Sequence, residues 1–244
     1  MRLKTIGSSS KGNCYILEAK NGEILILEAG IHPRDVGPSI GFHWERVQGV
    51  LVTHEHQDHA KYIKDYQAKG IEVFATRETA EALRLNAITW INRQVFWQIG
   101  AFRMRWFRTW HDAAHPVGYI IQHPEMGNLL FLTDTAQIKH TFEGLNQIMI
   151  EANYDEDSPV FKGMPAAHIE RVRLSHLSIR QTLDFLRRTD TGNVRNILLI
   201  HISQRHGDKS DFTARCRALG LPARIAAATP GLDLNISLTT KMEF

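Results

Sequence analysis

The run Thr53-His54-Glu55-His56-Gln57-Asp58-His59 constrains this chain more than any other segment, because it follows the apolar stretch of residues 47–52. Three imidazoles and the Asp58 carboxylate, placed where a buried strand runs out, are the donor types a metal centre needs. In an extended segment, side chains two apart share a side. His54, His56 and Asp58 therefore face one point, and a turn into a following helix brings His59 round to it. That is enough to begin two ion sites, not to complete them.

Further donors stand at the ends of later apolar β runs: His111 after residues 107–110, Asp134 after 130–133 and His201 after 197–200. All of them can converge on one sheet edge. A binuclear nitrogen and oxygen site needs imidazoles for each ion and a carboxylate shared between them, with the ions roughly 3.5–4 Å apart. Thiolate ligation is disfavoured, because Cys14 and Cys216 stand singly. Their isolation also points to a reducing compartment, so cytoplasmic localisation is expected. Residues 1–6 carry no apolar leader core and no apolar stretch approaches about 18 residues, so neither a signal peptide nor a membrane span is expected. The 29 basic and 26 acidic residues leave a formal charge of +3, compatible with anionic substrates but a weak basis for coating a long duplex.

Hydrophobic periodicity predicts strands over 3–6, 14–18 and 24–27, the latter two joined at the Asn21-Gly22 hairpin signal, and a buried strand over 47–52. Helices are expected over 33–40, 60–68 and 77–85, the last capped by Thr76, with a strand over 71–75 between them. Residues 96–135 read as β, with Phe102, Met104 and Trp106 alternating with Arg103 and Arg105, followed by strands over 117–122, 129–133 and 148–151. A helix over 178–187, a strand over 197–202 and a helix over 212–219 complete the pattern. Strands covered by helices in both halves imply an α/β protein of four αββα layers. With 43% apolar residues and no visible repeat or linker, a single domain over 1–244 is expected.

The HxHxDH spacing of His54, His56, Asp58 and His59 closely resembles that of the metallo-β-lactamase superfamily. The resemblance implies that fold, with His54, His56 and His111 on one metal, Asp58, His59 and His201 on a second, and Asp134 bridging both. It further implies a hydroxide held between two divalent ions, Zn²⁺ or Mn²⁺, as nucleophile. Within the superfamily, Gly7-Ser8-Ser9-Ser10-Lys11-Gly12-Asn13 looks like the SGSSGN loop of the WalJ/YycJ group, and residues 111–119 look like its HDAxxPVGY segment. Thr133-Asp134-Thr135, Glu151-Ala152-Asn153, Ser175-His176-Leu177-Ser178 and His201-Ile202-Ser203 follow in that group's order. Glu28-Ala29-Gly30 departs from its usual aspartate and looks more like compact phage-encoded relatives, among them the anti-Pycsar phosphodiesterases. Relatives in this branch imply a homodimer.

These readings make the chain a metal-dependent phosphodiester hydrolase. A 3′,5′-cyclic nucleotide is the first expected substrate, a DNA or RNA exonuclease activity the second, and a non-catalytic metal or nucleotide binder the third. Asp58, His176 and Glu151 are the candidate catalytic residues, His176 as proton donor to the leaving oxygen and Glu151 as an orienting carboxylate. Ser10, Lys11, Gly12 and Asn13 are candidate phosphate contacts. His115 competes with His111 for the third ligand position, while His32, His43, His123, His140, His168 and His206 are expected to be ordinary histidines. Arg103, Arg105 and Arg108 are expected on a solvated sheet face.

Overall fold

The computed structural model describes residues 1–85, 88–91 and 96–238, and within them two seven-stranded mixed sheets face each other. Strands β1 (Arg2–Gly7), β2 (Cys14–Glu18), β3 (Ile24–Leu27), β4 (Val47–Leu51), β5 (Val73–Ala75) and β6 (Thr89–Trp90) build the first. The second contains β7 (Trp97–Ile99), β8 (Phe102–Arg108), β9 (Val117–His123), β10 (Gly127–Leu132), β11 (Gln147–Glu151), β12 (Asn196–Ile200) and β13 (Arg224–Ala227). The last strand, β14 (Asp233–Asn235), returns to pair antiparallel with β1.

Both sheets have one topology. In the order β14-β1-β2-β3-β4-β5-β6, antiparallel pairings give way to parallel ones at β3, and in β7-β8-β9-β10-β11-β12-β13 the same change falls at β10. The duplication lies in the path of the backbone; no repeat in residue identity announces it.

Helices α1 (Pro33–Val36), α2 (Gln57–Ala60), α3 (Ile63–Gln67) and α4 (Arg77–Ala82) belong to the first half, and α5 (Pro159–Lys162), α6 (Ala166–Ser175), α7 (Ile179–Arg188) and α8 (Lys209–Arg217) to the second. Strand alternation sorts the apolar side chains into layers. Leu25 and Leu27 meet Tyr119, Phe131 and Leu198 between the sheets, whereas Ile24 and Ile26 meet Val36, Ile63 and Tyr66 outside. On β12, Leu198 and Ile200 face inward while Ile197 and Leu199 pack on Phe185 and Phe212. This explains why central strands are apolar at every position: both faces are covered. The αββα architecture is as expected. Among the described residues, no helix is long and apolar enough to cross a membrane.

Several boundaries differ from expectation. The helix expected over 60–68 starts earlier, at Gln57 inside the histidine run, and is broken before α3 where the Tyr62 amide donates to the Ala29 carbonyl at 3.0 Å. The helix expected over 33–40 divides into α1 and a 3₁₀ turn over Gly37–Ile40, because Pro38 has no N–H to donate to the Arg34 carbonyl and continue the α ladder. The last helix begins at Lys209 rather than 212, since the Asp208 carboxylate accepts from Ser210 N and Asp211 N at 2.8 and 3.0 Å. The elements α5, α6, β13 and β14 were not expected. Helix α6 buries only Val172 and Ser175, so it carries no apolar stripe to read.

Candidate metal centre

The candidate ligands are delivered by strand ends on one edge of the molecule. His54 follows β4, His111 follows β8, Asp134 follows β10, Glu151 ends β11 and His201 follows β12. Three non-glycine residues there are forced into left-handed backbone: Glu28 after β3 at φ 69°, Asp134 at 45° and His201 at 51°. Each such residue costs on the order of 1–3 kcal/mol, which the packed sheets must offset to turn these side chains back toward the edge.

His54, His56 and His111 form one donor group, with nitrogens all within 4.8 Å of one another. The partners behind each ring determine which nitrogen keeps its proton. The Thr53 hydroxyl donates to Glu28 Oε1 at 2.7 Å, so Thr53 Oγ1 must itself accept from His54 Nδ1 at 2.9 Å. That leaves His54 Nε2 as a bare lone pair, and it is buried with no hydrogen-bond partner. His111 Nδ1 donates to the Ser175 carbonyl at 2.7 Å and His56 Nε2 to the Asp112 carbonyl at 3.2 Å. The other two nitrogens, His111 Nε2 and His56 Nδ1, are therefore lone pairs as well, and they face each other at 3.0 Å. Three converging lone pairs repel unless a cation lies among them, so the residues present fit a metal ion. Burial first, with His59 adding to it, pushes the His54 pKa well below the ordinary histidine value, so the ring is neutral and free to ligate.

Asp58, His59 and His201 form a second group, and Asp134 joins His54 and His59 in a third. Asp134 Oδ2 lies 3.4 Å from His59 Nε2 and 3.5 Å from His111 Nε2, while its Oδ1 lies 3.3 Å from His201 Nδ1. It is the carboxylate common to both sides. His59 Nε2 and His201 Nε2 approach Asp58 Oδ2 at 3.3 and 3.2 Å. Burial opposes charge on His59 and His201, yet Asp134 with Glu28 holds the first well above its usual pKa, and Asp134, Asp58 and Glu151 raise the second to about 10. Protons on these rings supply the positive charge that the carboxylates demand; a divalent ion would replace them.

His176 caps the end of α6, with Nδ1 2.7 Å from Glu151 Oε1 and its ring stacked on His201 at 5.4 Å. The other Glu151 oxygen accepts from the Thr135 and Leu177 amides, both at 3.2 Å. The loop candidates divide. Ser10 and Lys11 are exposed, Gly12 is buried, and the Asn13 amide donates to Asp58 Oδ2 at 3.2 Å and lies 3.2 Å from His59 Nε2. This loop is clamped to the histidine run, since Asn13 N donates to Asp58 O and a Cβ on Gly30 would sit 1.8 Å from that same oxygen. His115 lies elsewhere, 2.8 Å from Glu78 and edge-on to Trp106. Among the described residues, His32, His43, His123, His140, His168 and His206 join no donor group. The residues that support the rings, Glu28, Thr53, Asp112 and Ser175, were not among the sequence candidates; the replacement of the usual aspartate by Glu28 was the one available signal.

Comparison with known proteins identifies the family. Residues 34–202, more than half of the chain, match the family described as the beta-lactamase superfamily domain. The chain belongs to this superfamily. The exodeoxyribonuclease WalJ of Streptococcus pneumoniae is 25% identical over 224 residues, covering 84% of this chain and 82% of that protein. The exodeoxyribonuclease YycJ of Bacillus anthracis is 26% identical over 170 residues, 64% of each. Among solved structures, the metallo-beta-lactamase fold protein YhfI from Bacillus subtilis superposes with a TM-score of 0.73 at 13% identity, covering 96% of this chain and 98% of its own. A diphosphatase of the PhnP family gives 0.68 at 15% identity, covering 96% and 97%. At such identities the solved structures speak for the fold. With the superfamily's fold and donor groups, this member is a metal-dependent hydrolase.

Proposed function

We propose that this superfamily member is a phosphodiesterase that uses two divalent ions, Zn²⁺ or Mn²⁺, and degrades polynucleotides as a DNA exonuclease. The observation that carries the reading is the convergence of His54, His56 and His111 on one side of Asp134 and of Asp58, His59 and His201 on the other. The first three residues would hold one ion and the second three its neighbour, with Asp134 shared. Ions so held lower the pKa of an attacking water and neutralise charge on the phosphoryl oxygens. The relatives named exodeoxyribonuclease support a polymer over the 3′,5′-cyclic nucleotide that the sequence reading puts first.

The chain's own residues supply the rest. Glu151 holds the Nδ1 proton of His176 at 2.7 Å, which orients the ring and leaves Nε2 to protonate the leaving oxygen. Burial opposes charge on His176, but Glu151 and Asp134 outweigh it and raise its pKa above the ordinary histidine value, as suits a proton donor. Asn13 orients Asp58 and His59, while Ser10, Lys11 and Gly12 meet a substrate phosphate. Residues 1–244 act as one domain in the cytoplasm, where the buried free thiols Cys14 and Cys216 stay reduced, and as a homodimer.

End-labelled single-stranded DNA, RNA and cyclic mononucleotides offered to the Mn²⁺- or Zn²⁺-loaded protein test this reading, with Asp134→Ala as control. Stepwise shortening of DNA by the wild type alone is expected. Opening of cyclic nucleotides with intact polymers would contradict it.

A further inference from the structure

The outer face of the second sheet is covered unevenly. Helices α7 and α8 pack over Ile148, Ile197 and Leu199, but on the antiparallel side the same face carries a polar row. Cross-strand register aligns Gln98 of β7 with Arg103 of β8, Arg103 with Gln122 of β9, and Gln122 with Asn128 of β10. Two adjoining hollows of about 210 and 410 Å³ share Gln122 and Asn128. Arg105 lines the smaller one and Arg103 the larger.

Both guanidiniums are exposed, and neither has a carboxylate partner among the described residues. Instead they lie 5.2 and 5.3 Å over the ring of Phe96, which is itself 39% exposed. One acidic residue, Glu143, lines the smaller hollow together with Phe96 and Arg105. Two arginines flanking an exposed aromatic ring is a combination that serves an anionic chain bearing flat apolar groups: phosphates take the charges, and an unpaired base takes the ring face.

The face also leads to the metal centre. Strand β8 covers roughly 17 Å from Arg103 to Arg108 at about 3.4 Å per residue, and continues through Thr109 and Trp110 to His111. A file of rings follows it, from Phe142 to His140 at 6.0 Å and from His140 to Trp110 at 5.5 Å, with Lys139 Nζ 5.1 Å over the Trp110 ring. Phe142 lines the smaller hollow, so rings extend from there toward His111, accompanied by Arg105 and Lys139, which have no carboxylate partner among the described residues.

We infer that this face, from Phe96, Arg103 and Arg105 to Trp110 and Lys139, binds the single-stranded portion of a DNA substrate and guides its end to the metal centre. The inference rests on the phosphodiesterase reading for its direction, since the scissile bond is placed at His111's end of the track. Single-stranded DNA is the occupant because stacking on Phe96 and Trp110 needs bases released from pairing, while paired bases present only their edges.

The test measures binding of a short phosphorothioate-linked single strand, which resists cleavage, to the metal-loaded protein by fluorescence anisotropy across a salt series. Each phosphate contact on a single strand contributes about 0.7 to the slope of log K against log salt, so Arg103→Ala with Arg105→Ala should lower it by about 1.4. Affinity should fall at least tenfold. Phe96→Ala should weaken binding about tenfold with the slope unchanged, the loss expected for one stacked base. No binding, or binding unchanged in these variants, overturns the inference, as does loss of affinity only on replacing Arg171 and Arg173 of α6. DNA cleavage by the wild type is scored separately. Binding with the expected pattern but without cleavage sinks the phosphodiesterase reading alone, whereas cleavage with binding indifferent to the variants sinks this face alone.

Discussion

His56 Nδ1 and His111 Nε2 face each other at 3.0 Å, each with its proton held on the far side of its ring by a backbone carbonyl. Two lone pairs at that distance are a frame awaiting a cation. His111→Ala should therefore reduce bound metal by about one ion per chain, since under the proposed function it removes one of the three ligands assigned to that ion. His115→Ala, at a residue engaged with Glu78, should leave the metal content unchanged. Metal analysis of protein dialysed against trace Zn²⁺ gives both numbers.

The chain of hydrogen bonds from Glu28 through Thr53 to His54 fixes the His54 tautomer. Thr53→Val keeps the shape and deletes the hydroxyl, so metal affinity should fall about 10- to 100-fold, as for other supports behind a ligand histidine. Competition with a chelator of known affinity measures the difference; equal affinity in Thr53→Val would show that the tautomer is set elsewhere.

What the sequence disclosed and what it hid divide along physical lines. His54, His56, Asp58 and His59 were legible because their spacing is local, and His111, Asp134 and His201 because each ends an apolar strand. Glu28 was visible only as an oddity, since its role depends on Thr53, 25 positions away in sequence. Ser175 and Asp112 act through backbone carbonyls, which no residue identity advertises. Helix α6 lacks apolar periodicity, yet its last turn supplies the carbonyl behind His111. Arg103 and Arg105 read as a solvated face and are indeed exposed, but only the register aligns Arg103 with Gln122 and Asn128, and only the fold brings both guanidiniums over Phe96.

Metal-free protein should lose stability as pH rises above neutrality. His201 is raised to about 10 and His59 also lies above its usual value, whereas an unfolded histidine titrates near 6.5. A raised folded pKa means stabilisation that is complete below about 6.5 and lost as pH climbs toward 10. Melting temperatures in chelator should fall by several degrees between those limits, and metal-loaded protein, whose rings carry ions in place of protons, should show a flatter profile. A chelated protein with a level profile would contradict the charge balance described here.

His176 and Glu151, 2.7 Å apart, also stand with Asp134 and His201 as a donor group, so kinetics must tell proton donation from metal binding. His176→Ala should lower kcat about 10²- to 10⁴-fold on phosphodiesters with a poor leaving group and far less on activated aryl esters, which leave without a proton. Steady-state kinetics on both substrates, with metal content checked, decides this. An equal loss on both would make His176 a structural or ligating residue instead.

The most direct measurement is a titration of chelated protein with Mn²⁺ or Zn²⁺, following cleavage of end-labelled single-stranded DNA against ions bound per chain. The account predicts that cleavage rises to a plateau at about two ions, the number proposed for the ligand sets on either side of Asp134. Full cleavage at one ion, or none with two bound, would contradict it.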